Sequence, residues 1–192
     1  MFEQIISLEN LLAAWCEFRK GKRQKIDVQE FELHLEDNLF QLHEELSGLK
    51  YRHGDYRRFQ IFDPKHRVIH KATVRDRVLH HAVYKVLYPI FDRSFIYDSY
   101  SCRIDKGTHK AVKRLEVFAR KVSQNYTRTC WVLKCDIKKF FDSIDHAILF
   151  DLLERKITDP KTLWLLSEII ESYPLVDKKF QRESLKVFPS EI

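Results

Sequence analysis

The segment LKCDIKKFFD, residues 133–142, contains residue types suited to chemistry on phosphates. Asp136 closes a short apolar run, residues 130–136, which has the pattern of a buried strand. A strand fixes the carboxylate at its end, and the backbone that follows can add a carbonyl oxygen. Mg²⁺ prefers such oxygen ligands, and phosphoryl transfer by two Mg²⁺ ions needs carboxylates to hold them. The alternative is that Asp136 caps the next turn while Phe140 and Phe141 belong to a core.

A basic stretch with interleaved aromatic rings lies upstream. Residues 50–81 contain nine Lys and Arg against three Asp and Glu, together with five histidines. Cations neutralise phosphates and rings pack on sugars or bases, so this stretch favours a nucleic-acid channel. The alternative is a solvated basic strand pair. Residues 1–49 have the opposite balance, five Lys and Arg against ten Asp and Glu, and the whole chain has a formal net charge of +6.

The composition excludes several classes of protein. The 192 residues are 44% hydrophobic and 32% charged, as in a globular chain rather than a disordered one. No apolar run reaches about 18 residues, so we expect no membrane span, and the amphipathic N-terminus does not resemble a signal peptide. Four cysteines without a CxxC pair argue against zinc and disulfides and favour reduced thiols in a cytoplasmic protein. The four glycines form neither a P-loop nor a dinucleotide fingerprint.

Two helices are predicted ahead of the basic stretch. Apolar residues recur at helical spacing over residues 3–19. Asp27 and Glu30 resemble a capping box at the start of a second helix, which Gly48 ends.

The basic stretch itself is predicted as two strands, residues 56–62 and 67–72, joined by a turn at 63–66. Thr73 then caps a helix that ends at Pro89. A helix, a strand and two more helices are predicted over residues 108–123, 130–136, 145–156 and 160–172. This layout predicts an α+β fold in two lobes.

Three ordered segments resemble one family of enzymes. CDIKKFFDSIDH, residues 135–146, is similar to motif A of reverse transcriptases from bacterial retroelements, among them group II introns, retrons and diversity-generating retroelements. RVI at 67–69 with RDRVLHH at 75–81 resembles the fingers segment of these enzymes. SYSCR at 99–103 with KGTHKA at 106–111 resembles the block that follows the fingers segment. Three blocks in the right order are more specific than any one of them.

The resemblance implies the fingers and part of the palm of a right-hand polymerase, mostly helical with a few short strands. It implies an N-terminal helical segment over residues 1–49, fingers over 50–125 and a partial palm over 126–192. The implied function is RNA-directed DNA polymerase, a nucleotidyltransferase that adds dNTPs with two Mg²⁺ ions. Its partners would be an RNA template, a DNA or RNA primer and dNTPs, and an accessory protein could join them.

The resemblance also implies roles for residues around motif A. Asp136 would be the catalytic carboxylate and first metal ligand, joined by the main chain of Ile137. Phe141 would press on the sugar of the nucleotide and exclude a 2′-hydroxyl group. Without the motif, core packing would be the preferred interpretation of Phe141.

The upstream blocks imply nucleotide and nucleic-acid contacts. Arg67 would contact the incoming triphosphate, with Arg75 as a second candidate, and Arg103 would help to shape the nucleotide and template pocket. We interpret Asp76 and Arg77 as a structural bridge rather than as ligands. Nucleic-acid contacts are expected from four further cations, Arg57, Arg58, Lys71 and Lys110.

The family pattern is incomplete in these 192 residues. Reverse transcriptases carry a Gly-rich block, a YxDD hairpin with two further carboxylates and a thumb after motif A, but here no glycine follows Gly107 and no Asp-Asp pair occurs. One carboxylate cannot hold two ions about 3.5–4 Å apart. We therefore expect a fragment truncated before the YxDD motif and inactive alone, whose strand at 130–136 has an open edge. The alternative is a non-catalytic RNA-binding module derived from the fingers lobe.

Overall fold

A computed structural model of the chain describes residues 1–137, 140–173 and 185–191. Contacts within the chain define two compact units. Unit 1 contains Met1–Ile90 and Asp145–Pro174, and unit 2 contains Phe91–Ile144 and Leu175–Ile192. Both helices and antiparallel strands are present, which confirms a mixed α+β fold.

Four helices rather than two form the N-terminal part of unit 1: α1 Phe2–Ile6, α2 Leu8–Phe18, α3 Ile26–Leu33 and α4 Leu35–Ser47. The expected single helix over residues 3–19 is interrupted at Ser7, which is extended (ψ 139°) and whose hydroxyl accepts a hydrogen bond from the Asn10 amide at 3.3 Å. The second predicted helix is interrupted at His34 and ends at Gly48 as expected. The capping box at Asp27 is wrong, because Lys25 is the N-cap residue and the Asp27 carboxylate binds cations instead.

The core of unit 1 forms where these helices pack together. The Trp15 ring lies 5.1 Å from Phe31 and 6.0 Å from Phe18, and all three side chains are buried. Burying a large apolar side chain stabilises a fold by roughly 1.5–3 kcal/mol, so these helices provide a firm base for the segment that follows. The remaining large side chains that are fully buried include Phe2, Ile5, Ile6, Leu11, Leu42, Leu46, Tyr51, Leu79, Ile157 and Leu165.

The predicted strand pair is present. Strands β1 Arg57–Ile61 and β2 Arg67–Lys71 form an antiparallel hairpin in which Phe59 lies opposite Ile69. All five residues of β1 are exposed, which agrees with a hairpin that projects into solvent rather than one that covers a core.

Helix α5, Val74–Asp92, follows the hairpin. Thr73 caps it as predicted, since its Oγ1 accepts a hydrogen bond from the Asp76 amide at 3.2 Å. The predicted end at Pro89 is wrong, because the helix continues to Asp92. The Arg103 guanidinium donates a hydrogen bond to the Asp92 carboxylate at 2.7 Å and another to its carbonyl at 3.3 Å, and such a cation stabilises the end of a helix.

Helices α8 His146–Glu154 and α9 Pro160–Glu171 complete unit 1 in the predicted places. Asp145 caps the first, and Asp159 caps the second with Pro160 at its first position. Asp159 also accepts a hydrogen bond from the Phe2 amide at 2.7 Å, so residues 157 positions apart in sequence join two helix ends.

Unit 2 contains α6 Thr108–Val122, β3 Trp131–Ile137, α7 Phe140–Ser143 and β4 Leu185–Glu191. The strand at 130–136 is expected to have an open edge: β3 pairs antiparallel with β4 along its whole length, and in this two-stranded sheet of the described residues no strand pairs with its other edge. The expectation of a buried strand is wrong: within unit 2 the Trp131 side chain is 68% exposed and that of Leu133 is 64% exposed. Among the described residues, no helix has the length and apolar character that a membrane crossing requires.

Candidate nucleic-acid interface

One face of the β1–β2 hairpin combines cations with apolar side chains. Side chains alternate along a strand, so the register places three cross-strand pairs on one face: Arg57 with Lys71, Phe59 with Ile69, and Ile61 with Arg67. We call these six residues the cationic face. Four residue steps of about 3.3 Å place the cations at the two ends of the face about 13 Å apart, with the apolar residues between them.

The predicted nucleic-acid contacts on the hairpin differ in their surroundings. Arg57, Arg58 and Arg67 are exposed to solvent, and Arg58 lies on the face opposite to the other two. Lys71 is less exposed, and its ammonium lies 2.6 Å from the Asp27 carboxylate. The hairpin therefore presents three exposed arginines, while Lys71 is held in an ion pair.

A buried carboxylate anchors the hairpin to α5. Asp76 is fully buried and accepts hydrogen bonds from the Tyr51 hydroxyl at 2.9 Å, the Gly54 amide at 3.1 Å and the Thr73 hydroxyl at 2.6 Å. A Cβ atom on Gly54 would lie 2.9 Å from Asp76 Oδ2, so the close approach requires glycine. Sequence reasoning treated Asp76 and Arg77 as one bridge, but each of these residues binds other partners.

The same contacts set the ionisation of the anchor. Burial raises the pKa of Asp76, but hydrogen bonds from Thr73 and Tyr51 and the nearby cations outweigh it, so its pKa lies below the ordinary value. Burial and the neighbouring Asp76 charge raise the pKa of Tyr51. Asp76 is therefore an anion that organises the segment leading into β1.

Arg75, the second candidate for the triphosphate, is engaged within unit 1. Its guanidinium donates hydrogen bonds to the Glu45 carboxylate at 2.7 Å and to the Arg52 carbonyl at 2.5 Å. It also lies 5.1 Å from the Tyr51 ring. The structure therefore places Arg75 in contacts between α4, α5 and the segment before β1.

Two histidines pack beside the anchor. His53 Nδ1 lies 2.7 Å from the Gly54 carbonyl and therefore donates to it, so the Nε2 atom of neutral His53 accepts a hydrogen bond from His80 Nε2 at 3.2 Å. Burial is the main cause that lowers the pKa of His80 to about 4; charge repulsion from His53, when that ring is protonated, acts in the same direction, and the charge of Asp76 opposes the shift only in part. The packing of His53 and His80 therefore favours the neutral form of His80.

We expect the stability of the chain to fall as the pH is lowered from 6.5 to 4. In this window an unfolded histidine binds a proton and folded His80 does not, so its contribution is complete above pH 6.5 and is lost towards pH 4. The full shift corresponds to about 3 kcal/mol. Urea unfolding followed by circular dichroism at several pH values measures it. His80→Gln should flatten the dependence in this window and His34→Gln, a change of an exposed histidine, should not; equal curves for all three proteins would contradict the assignment.

The predicted metal ligand lies on β3 in unit 2. Asp136 is exposed, pairs in register with Lys186 of β4, and precedes Ile137, which ends the strand. The side chain of Phe141 lies outside the described residues. Within the described ranges, no three His, Cys, Asp or Glu side chains come together as a metal site. Asp136 thus contributes one carboxylate, which is too few to hold a pair of Mg²⁺ ions.

The other predicted residues of unit 2 have local partners. Besides Asp92, Arg103 donates hydrogen bonds to the carbonyls of Ile96 at 3.0 Å and Ser99 at 3.2 Å, so it shapes the loop that contains SYSCR. The Lys110 ammonium donates to the Asp105 carbonyl at 2.6 Å. These contacts give Arg103 a structural role in the loop, whatever it binds in addition.

Sequence reasoning missed a cluster of cations on aromatic rings in unit 2. The Lys106 ammonium lies 3.8 Å from the centre of the Tyr97 ring, and the Arg114 guanidinium lies 4.4 Å from that of Phe118. Rings and cations arranged in this way suit single-stranded nucleic acid. The i, i+4 spacing of Arg114 and Phe118 on α6 was a signal for the second pair, whereas the first pair depends on the path of a loop.

Comparison with known proteins supplies the context for this geometry. Residues 62–189 match the family described as reverse transcriptase (RNA-dependent DNA polymerase). Protein YkfC of Escherichia coli strain K12 is 27% identical over 100 residues, which cover 52% of this chain and 26% of YkfC. Nuclear intron maturase 1, mitochondrial, of Arabidopsis thaliana is 23% identical over 143 residues, 65% of this chain and 19% of that protein.

A third relative is the group II intron-encoded protein LtrA of Lactococcus lactis subsp. cremoris, 28% identical over 100 residues, which cover 52% of this chain and 16% of LtrA. The match thus spans about a quarter or less of the length of each of these relatives. The family match covers the hairpin from its turn onward, α5, α6 and β3, and so includes most of the predicted site residues.

Proposed function

Because the chain belongs to the reverse transcriptase (RNA-dependent DNA polymerase) family, we propose that it contributes the template- and nucleotide-binding part of an RNA-directed DNA polymerase. The partners in this proposal are an RNA template, a DNA or RNA primer and dNTPs. The names of the relatives support a role with group II introns or related retroelements.

The observation that supports this proposal best is the cationic face of the hairpin. Arg57 and Arg67 lie at opposite ends of one face with the Phe59–Ile69 pair between them. Phosphates can bind at the ends while a base or sugar packs on the apolar centre. In this proposal Arg67 contacts the triphosphate of the incoming nucleotide, and Arg57 and Arg58 contact the nucleic acid.

The catalytic half of the proposal depends on Asp136. When bound, Mg²⁺ supplies charge neutralisation at the phosphates of the nucleotide. Asp136 and the carbonyl of Ile137 are the proposed first ligands, and further carboxylates must come from beyond the described residues. We propose no polymerase activity for these 192 residues by themselves. Phe141 keeps its proposed role against the 2′-hydroxyl group, and Arg103 keeps its role in shaping the pocket.

A non-catalytic RNA-binding module is the second candidate. The sparse carboxylates near the end of β3 favour it, because no group of three His, Cys, Asp or Glu side chains forms a metal site among the residues that the structure describes. In this alternative the cationic face binds RNA phosphates, and Asp136 has no role in function.

RNA binding tests the part that both candidates share. We expect Arg67→Gln and Arg57→Gln each to weaken binding of a single-stranded RNA of about 20 nucleotides by roughly 3–10-fold in low salt. Each lost phosphate contact should reduce the slope of log K against log salt by about 0.7. Fluorescence anisotropy measures both quantities, and Arg155→Gln, which removes an exposed arginine after α8, is the matched control. Equal affinities for all four proteins would refute the role of the cationic face.

A further inference from the structure

One carboxylate of the acidic N-terminal segment lies directly on the base of the hairpin. Asp27, in α3, accepts a hydrogen bond from the Lys71 ammonium at 2.6 Å and from the Arg77 guanidinium at 2.7 Å. Both cations approach the same oxygen, Oδ2. The three side chains are 36%, 29% and 20% exposed in the order Asp27, Lys71 and Arg77, so solvent reaches the cluster.

Lys71 and Arg77 together form a site with the shape and charge for a phosphate oxygen. Two cations that converge on one anionic oxygen are the arrangement by which proteins bind phosphates. Arg77 is fixed in place, because it also donates to the Thr73 carbonyl at 3.3 Å and lies 4.9 Å from the Phe18 ring. Lys71 belongs to the cationic face, so this site continues the surface that we propose for nucleic acid.

An open groove leads to the cluster. It has a volume of about 790 Å³ and is lined, among others, by Ile26, Phe31, Arg57, Lys71 and Arg75. The wall also contains Glu30 and Asp55, and Arg75 in it is paired with Glu45, whereas Arg57 adds an exposed cation near Lys71. A nucleic-acid backbone can therefore reach the position that the Asp27 carboxylate occupies.

The Asp27 carboxylate is ionised at neutral pH. Its partial burial raises its pKa, but the hydrogen bonds from Lys71 and Arg77 outweigh that effect, so the pKa lies below the ordinary value. At neutral pH the carboxylate neutralises one of the two cations and repels an approaching phosphate. Lys71 and Arg77 cannot both keep their hydrogen bonds to the Asp27 carboxylate and bind a phosphate at the same time.

We propose that Asp27 masks a phosphate-binding site formed by Lys71 and Arg77, and that nucleic acid binds there by displacing the carboxylate. The proposal rests on nucleic-acid binding by the cationic face. Asp27 lowers the affinity for any polyanion that offers only weak contacts, and so favours strands that also engage the exposed arginines of the hairpin. The competing explanation is a purely structural tie between α3 and the hairpin.

Removing the charge of Asp27 separates the two explanations. Asp27→Asn keeps the size of the side chain and one oxygen acceptor, and we expect it to bind the same RNA roughly 3–10-fold more tightly than the unchanged protein in low salt. The salt slope should become steeper by about 0.7 for each cation released. In the Asp27→Asn/Lys71→Gln double variant this gain should be lost.

Two controls accompany the Asp27→Asn measurement. Glu17→Gln removes an acid of α2 whose partner is Lys85 of α5 at 3.2 Å rather than a residue of the hairpin, and it should change the affinity much less than Asp27→Asn. Circular dichroism reports whether each variant is folded. Unchanged or weaker RNA binding by folded Asp27→Asn, or a gain that survives Lys71→Gln, would overturn the mask. If the arginine variants of the hairpin also bind as the unchanged protein does, the proposed function fails as well, so the two failures are distinguishable.

Discussion

Asp76→Ala is expected to lower the free energy of unfolding by about 3–5 kcal/mol, the largest effect on stability that we expect from a single side chain. The substitution leaves the Tyr51 hydroxyl and the Gly54 amide without their acceptor in a buried place. It also removes the partner of the Thr73 hydroxyl at the start of α5. Urea unfolding followed by circular dichroism measures the change.

Two companion variants sharpen this test. Asp76→Asn keeps the shape but presents an amide to hydrogen-bond donors, so we expect a smaller loss of about 1–3 kcal/mol. Asp37→Ala removes an exposed acid from α4 and should stay within about 0.5 kcal/mol of the unchanged chain. If Asp76→Ala unfolds at the same urea concentration as Asp37→Ala, the anchor of the hairpin is not Asp76.

Under the polymerase proposal, Asp136→Asn is expected to abolish DNA synthesis by a polymerase that contains these residues together with the remaining carboxylates. Loss of a charge that holds a catalytic metal removes stabilisation from the transition state, and we expect at least about a 10³-fold fall in Mg²⁺-dependent dNTP incorporation. Asp136 is exposed on β3, so the substitution should leave the fold intact. Incorporation of a labelled dNTP on an RNA template measures the effect.

The same variant separates the two candidate functions. Under the polymerase proposal Asp136→Asn loses synthesis and keeps RNA binding, and Asp151→Asn, an exposed aspartate of α8, loses neither. Synthesis at the unchanged rate by Asp136→Asn would remove Asp136 from the active site. RNA binding without synthesis in every protein tested would favour the RNA-binding module.

The β1–β2 hairpin shows what a local sequence pattern can predict. Alternation of cations and apolar residues, with a turn at 63–66, predicted both strands within a residue or two of their ends. The alternation also determines which residues share a face, because side chains of a strand point to opposite sides in turn. Only the register of the pair reveals that Arg57, Arg67 and Lys71 lie on the same face.

Helix ends show where local patterns fail. Asp27 and Glu30 have the spacing of a capping box, yet the Asp27 carboxylate binds Lys71 and Arg77, which are 44 and 50 residues away in sequence. A capping hydrogen bond to the start of α3 and an ion pair with distant cations compete for the Asp27 carboxylate. The local sequence does not show that Lys71 and Arg77 come close to Asp27 in the fold. Ser7 illustrates a related case, since a hydroxyl that caps α2 interrupts what periodicity alone presents as one helix.

By itself the sequence determined the α+β composition, the hairpin, the cap of α5, and the three segments that resemble reverse transcriptases, because each depends on residue types at short spacing. The tertiary structure decided which charges remain available. It buried Asp76 among Tyr51, Gly54 and Thr73, tied Lys71 to Asp27, paired Arg75 with Glu45 and the Arg52 carbonyl, and exposed Arg57 and Arg67. Apart from the bond to Thr73, those outcomes depend on contacts between residues 22 to 44 positions apart, which spacing along the chain does not encode.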